Sequence, residues 1–216
     1  MIGSDFLNVV KRAENAVKVS LVKLSRDAVV QAALELLDEV GLADLTLRGV
    51  AERLHVQAPA LYWHVRNRQD LVDQMAAAMI RDGIGGIAPD GAWMDQLGDI
   101  ARAYRQTLLS HRDGARVLAE ACTADPAVNR LAELSLRMLT SAGFTTPDAM
   151  RALVCLLSYV TGFVADEQTA QPRTEKPDPV LFPLLTAAGV GHHTTETFEF
   201  GLELLLSGLR LARLSS

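Results

Sequence analysis

Val29, Ala33, Leu36, Leu37 and Val40 recur at helical spacing, with Asp27, Gln31, Glu35 and Asp38 on the opposite face. This predicts an amphipathic helix over 26–40, capped by Ser25 and stopped by Gly41. Leu47, Val50, Ala51 and Leu54 repeat at i, i+3, i+4 and i+7 behind the cap residue Thr46. After a turn at His55-Val56, Pro59 suits the first turn of a third helix, which Leu61 and Val65 anchor. Asn67 followed by Asp70 resembles a capping box and opens a fourth helix, to about Arg81. From Ala92 onward every segment has helical period, with helices expected near 92–110, 112–121, 125–142, 147–166, 180–189 and 195–213.

Between these two runs lies GIGGIAPDG, residues 83–91. It matches G-x-G-x-x-A formally, but a helix precedes it where a dinucleotide site needs a strand, so it reads as an interdomain linker. Residues 168–179 carry three prolines and read as a polar loop. The expected fold is all-α. Residues 1–24 form a weakly patterned N-terminal extension, 25–82 a helix-turn-helix domain with its connecting helix, and 92–213 a second helical domain.

The helices near 147–166 and 195–213 are apolar almost all round. Phe198, Leu202, Leu205 and Leu209 make one stripe of the latter, and Phe200, Leu204 and Leu211 another. One subunit can cover only one face, so the second predicts a homodimer with a four-helix interface. Gly201 and Gly208, seven apart, would allow close helix approach.

With 216 residues, 49% hydrophobic and 22% charged, the chain is globular. Its net charge of −5 argues against a uniformly basic nucleic-acid coat. Any contact with phosphates must come from local placement of charge. Cys122 and Cys155 are expected as buried thiols in a reducing cytoplasm. The uncharged stretch 152–165 is 14 residues. That is shorter than the roughly 20 of a membrane span, so no membrane partner is expected.

Within 46–70 no acid lies between Glu52 and Asp70, while Arg53, Arg66 and Arg68 do. A short helix bearing Tyr62, Trp63 and His64 without carboxylates suits the DNA major groove, where phosphates repel acids. The rival class is an all-helical enzyme using Asp166, Glu167 and the histidines. It leaves the helix-turn-helix unexplained, so no catalytic residue is assigned. His192-His193 lacks the spacing of a metal site and reads as solvated.

The segments SRDAVVQAALELLDEVGLADLTLRGVAERLHV and PALYWHVRNRQDLVDQM resemble the tetracycline repressor (TetR) family. LLSHRDGARV (108–117) and FGLELLLSGL (200–209) are similar to that subfamily's regulatory domain. The resemblance implies a homodimeric cytoplasmic repressor that leaves operator DNA when a small-molecule effector binds. It implies base contacts by Arg48 and Pro59, and DNA contacts by Tyr62, Trp63, His64 and Arg68. Ala58 and Ala60 stand where those repressors carry glutamine and threonine. Alanine offers only an apolar contact to a thymine methyl, so a different operator is expected.

The ligand positions depart further. Ile84, Ile100, Tyr104 and Leu118 occupy places that hold a drug and its metal in that subfamily. Ala121 and Cys122 replace a threonine and an arginine near the metal, while Asp166 keeps the acid that reaches across from the partner. Tyr104, Ser135, Ser158 and Thr161 are hydroxyls on apolar helices, placed either to orient a ligand or to bond back to their own backbone. These substitutions predict an apolar effector held without a metal or cofactor. The alternative is a true tetracycline–magnesium repressor of an efflux gene.

Overall fold

The computed structural model describes residues 24–84, 91–122, 125–170, 178–188 and 194–214. Among them every regular element is a helix. They are α1 (Arg26–Val40), α2 (Leu47–Arg53), α3 (Ala58–Leu61), α4 (Arg68–Ile84) and α5 (Trp93–Leu109), followed by α6 (Gly114–Glu120), α7 (Pro126–Ser141), α8 (Thr146–Thr169), α9 (Pro183–Ala188) and α10 (Thr195–Leu214). The expectations for residues 1–23, most of the 83–91 linker and His192-His193 lie outside the described residues.

The capping signals act where the sequence puts them. Ser25 Oγ accepts the Ala28 N–H and Thr46 Oγ1 accepts the Gly49 N–H, each at 3.1 Å. Such caps contribute about 1 kcal/mol each. Asn67 Oδ1 accepts the Asp70 N–H at 2.8 Å, and Asp70 Oδ2 reaches back to the Arg66 N–H at 2.7 Å. Several bounds differ from the sequence expectation. α4 runs on to Ile84, because Ile80 and Ile84 both have apolar surface to bury. α8 continues through Asp166-Glu167 to Thr169, into the stretch expected as loop. α3 is a single turn, followed by a looser chain through His64.

Two hydrophobic clusters organise the chain. The first joins α1, α2, α3 and the start of α4 around Leu37, Leu61, Leu71 and Met75, all fully buried, with Val117 of α6 inserted. The second joins the end of α4 to α5, α7, α8 and α10 around Leu97, Leu108, Leu156 and Phe198. α4 supplies buried residues to both, from Leu71 through Met79 on one side and Ile80 and Ile84 on the other. α4 thus runs through both clusters, and α6 joins them a second time through Ala115, Val117 and Leu118.

α8 is long and apolar enough to cross a membrane by length and hydropathy. Ala149, Ala152, Leu156, Val160 and Val164 bury one of its faces in the second cluster, as a core helix does. Its other face carries Met150, Val154 and Cys155, all exposed. The cysteine expectation is therefore corrected: Cys155 lies on the uncovered face of a two-faced helix, and Cys122 is exposed beyond the end of α6. On α10, Phe198 and Leu202 are buried, while Phe200, Leu204 and Leu211 are exposed. Close approach is realised within the chain at Gly201, where a Cβ would overlap the Tyr159 hydroxyl. Gly208 faces open space.

Arg105 stitches α5 to α8 and α10. Only 5% exposed, it forms a bidentate pair with Glu167 at 2.7–3.2 Å, and its guanidinium lies over the Phe198 ring at 4.9 Å. Tyr159 stacks on the same ring and donates its hydroxyl to the Phe198 carbonyl at 2.8 Å.

Candidate nucleic-acid interface and effector cavity

α2 and α3 are held by apolar side chains on one side and present polar and aromatic ones on the other. Leu61 and Val65 are buried in the first cluster, worth about 1.5–3 kcal/mol each. Their burial fixes which way the neighbours point. Tyr62 is 58% exposed and Trp63 is 88% exposed, an unusual cost for two large rings in a subunit with no use for them. Pro59 is exposed; Ala58, Ala60 and His64 are half-buried beside them. His55 takes a positive φ of 55°, which turns the chain sharply between α2 and α3.

The arginines divide into two groups. Arg53 is committed to Glu35 and Glu39 on α1 at 3.1 and 2.8 Å, and these bonds hold its guanidinium above its ordinary pKa. Arg66 pairs with Asp70 at 3.2 Å. Arg68, expected at DNA, donates to the Leu42 carbonyl at 2.9 Å and lies 3.5 Å from Glu120 of α6. Arg48 differs: it projects into solvent and meets only Glu52, one turn away on the same helix at 2.9 Å. An exposed pair of this kind contributes about 0.3–0.5 kcal/mol, so Arg48 can leave it for a stronger anion at little cost. The outward face of this motif therefore consists of Arg48, Pro59, Tyr62 and Trp63, with His64 at its edge.

Where the ends of α4 and α6 meet α5, α7 and α8, the second cluster encloses a cavity of about 200 Å³. Ile80, Ile84, Ile100, Tyr104 and Leu118 form one side. α7 contributes Leu131, Ser135 and Met138 at i, i+4 and i+7, and α8 contributes Leu153 and Leu157. The two wall hydroxyls are occupied. The Tyr104 hydroxyl pairs with Thr161 Oγ1 at 3.1 Å, and Ser135 Oγ donates to the Leu131 carbonyl at 3.0 Å. Burial pushes the Tyr104 phenol up, and the Thr161 contact only partly offsets this.

Five of the residues singled out from the sequence thus meet around one cavity: Ile84, Ile100, Tyr104, Leu118 and Ser135. Thr161 stands one step behind, through Tyr104. Cys122, Ser158 and Asp166 are not part of the wall. Cys122 lies past α6, where its N–H donates to Asp73 at 2.9 Å. Ser158 and Asp166 are exposed on α8. The sequence reading missed Ile80, Gln96, Asp99 and the α7 neighbours of Ser135, Leu131 and Met138. The Leu131–Ser135–Met138 spacing was a visible signal, but it looks the same as any core-facing helix.

A magnesium–drug complex of the kind the resemblance implies would need oxygen or imidazole donors here. Leu118 and Ile84 offer none. Among the described residues no group of three or more His, Cys, Asp or Glu could hold a metal ion. The donor set does not fit such a complex.

A helix-turn-helix with an exposed aromatic and cationic face, rigidly tied to a ligand-sized apolar cavity, defines a one-component DNA-binding regulator. Residues 29–75 match the family model for bacterial regulatory proteins of the tetR family. Residues 86–213 match that for the tetracyclin repressor-like C-terminal domain. The chain belongs to the TetR family. It is 40% identical over 204 residues to the class A tetracycline repressor protein from transposon 1721 of Escherichia coli, covering 90% of this chain and 94% of that one. A possible TetR family transcriptional regulator from Streptomyces coelicolor A3(2) superposes with a TM-score of 0.77 at 37% identity, over 87% of this chain and all of that one. A glutamine-to-alanine variant of TetR from Acinetobacter baumannii AYE, in complex with minocycline, gives 0.72 at 37% identity, over 88% of this chain and 99% of that one.

Proposed function

We propose that this chain is a cytoplasmic homodimeric repressor, released from its operator by an apolar effector that binds without a metal. Residues 25–82 read DNA, and residues 92–213 sense the effector and dimerise. The observation that carries this reading is α4. It begins beside the exposed Tyr62/Trp63 face and ends with Ile80 and Ile84 in the cavity wall. A ligand that displaces Ile80 or Ile84 must move the helix that carries the DNA-reading motif. In a dimer the two motifs must sit about 34–36 Å apart to enter successive major grooves. A small rotation of α4 spoils that spacing.

Dimerisation is supported by the exposed apolar face formed by Met150 and Val154 of α8 with Phe200, Leu204 and Leu211 of α10. Large apolar side chains left exposed on two helices that pack together mark a surface meant to be covered. Arg48, Pro59, Tyr62, Trp63 and His64 contact DNA, with Ala58 and Ala60 placing methyl groups against thymine. Arg68 acts from behind, fixing the reading motif to α6.

A gel-shift with the promoter fragment upstream of the gene tests the proposal. A discrete, salt-sensitive complex with two protomers per operator is expected. Absence of any complex at micromolar protein and low salt would overturn it.

A further inference from the structure

Among the described residues, Asp99 is the one charged side chain that lines the cavity. It lies on α5, one turn before Arg102, whose guanidinium reaches its Oδ1 at 3.2 Å. That guanidinium is already matched. It makes three contacts of 2.8–3.1 Å with Glu199 of α10, which hold Glu199 below the usual carboxylate range. Asp99, Arg102 and Glu199 therefore form a group with two carboxylates and one cation. The nearby Arg105 cannot supply the missing positive charge, because Glu167 binds it in bidentate fashion.

The remaining polar wall groups are neutral. The Gln96 side-chain amide donates to the Gly91 carbonyl at 2.7 Å, so the Gln96 carbonyl oxygen remains as an acceptor. Ser135 and Tyr104 have the partners described above. An anionic ligand entering this space would meet a carboxylate and no compensating cation. A cationic one would meet a carboxylate whose partner is shared elsewhere.

We infer that the effector is an apolar molecule bearing a basic amine at one end, its ammonium group placed at Asp99 and its hydrocarbon body against Ile84, Ile100 and Leu131. This deepens the effector reading above and rests on the cavity being the effector site. Asp99 is 63% exposed, so the mouth of the cavity is wet and the charge preference is moderate. The apolar wall supplies most of the affinity, and Asp99 supplies selection among ligands of equal size.

The test uses three compounds of one shape: 2-(1-naphthyl)ethylamine, 1-naphthaleneethanol and 1-naphthylacetate. Their dissociation constants are measured by calorimetry at low salt with the full-length wild type, Asp99→Asn and Ile100→Trp. The amine should bind roughly three- to tenfold tighter than the alcohol, and the acetate weaker than the alcohol by a similar factor. Asp99→Asn should bring the amine-to-alcohol ratio close to one. Ile100→Trp, which fills the cavity, should abolish binding of all three. Equal binding of amine and alcohol, or an unchanged ratio in Asp99→Asn, overturns the charge inference while leaving the cavity as the site. Binding that survives Ile100→Trp, or no binding of any compound at millimolar concentration, overturns both.

Discussion

The carboxylate of Asp113 accepts the backbone N–H of Leu42 at 2.8 Å, joining the entry to α6 to the turn that follows α1. Gly41 makes this approach possible. Its φ is +82°, and a Cβ there would stand 3.0 Å from the Asp113 oxygen and 3.1 Å from Arg112 Nε. Around this bond, the Arg112 N–H and His111 Nδ1 both meet Asp38, at 2.9 and 3.1 Å. The Arg112 guanidinium donates to the Glu39 carbonyl at 2.8 Å. The DNA-reading half is thus bolted to α6, whose Leu118 lines the cavity.

Asp113→Ala leaves the Leu42 N–H without its charged acceptor. The expected cost is about 1.5–3 kcal/mol of stability, the usual value of a hydrogen bond to a charged group. Denaturant unfolding measures it. In a variant that remains folded, the effector should shift operator affinity less than in the wild type, because one of the links between the halves is gone.

Arg48→Ala and Tyr62→Ala each remove an exposed group from the outward face of the reading motif. Each should weaken operator binding by about 1–3 kcal/mol with little change in thermal midpoint. Anisotropy with labelled operator and a melting curve on the same samples decide it. Arg53→Ala should behave in the opposite way, losing stability through its bonds to Glu35 and Glu39.

α10 allows a clean separation of dimerisation from folding. Leu202 is buried within the subunit, whereas Leu204, two residues on, is exposed. Leu204→Asp should give a folded monomer by light scattering, with operator binding lost. Leu202→Asp buries an unpaired charge, which costs several kcal/mol, and should not fold at all. A Leu204→Asp protein that remains dimeric would place the interface elsewhere.

Acid should destabilise the protein through identifiable carboxylates. Burial raises the Asp70 pKa, but the Arg66 N–H and guanidinium outweigh it, so the net shift is downward. The Arg102 bonds lower Glu199 likewise. A depressed folded-state pKa contributes stability above the ordinary value, and that stability is lost as pH falls through it toward the folded one. The thermal midpoint should therefore drop as pH falls below about 4.5, within the ordinary carboxylate range. Asp70→Asn should flatten part of that slope.

Much of the fold was legible because its signals are local. Ser25, Thr46 and Asn67 cap helices through N–H groups three residues on, and a four-residue window contains the information. The outward face of the reading motif followed from Leu61 and Val65 by spacing alone. The cavity was less legible. Ile84, Ile100 and Leu118 come from three separate helices, and only tertiary packing shows that Ser135 faces them while Ser158 does not. Arg68 illustrates the same limit. An arginine at the start of a helix beside a DNA-reading motif looks free in sequence, but the Leu42 carbonyl is 26 residues away and Glu120 is on another helix. The two cysteines failed for a related reason: apolar neighbours in sequence do not say which face of α8 the subunit itself covers.

In the proposed mechanism, cavity occupancy and operator binding oppose each other through α4, with no metal involved. Anisotropy of the labelled operator complex measures this directly, titrated with naphthyl amines and with tetracycline, each with magnesium and with excess chelator. Release by the amine is expected, equal in both conditions, with amine affinity weakened by saturating operator by the same factor. Tetracycline should give no release. Release by tetracycline in magnesium that disappears in chelator, with none by the amine, would contradict the mechanism.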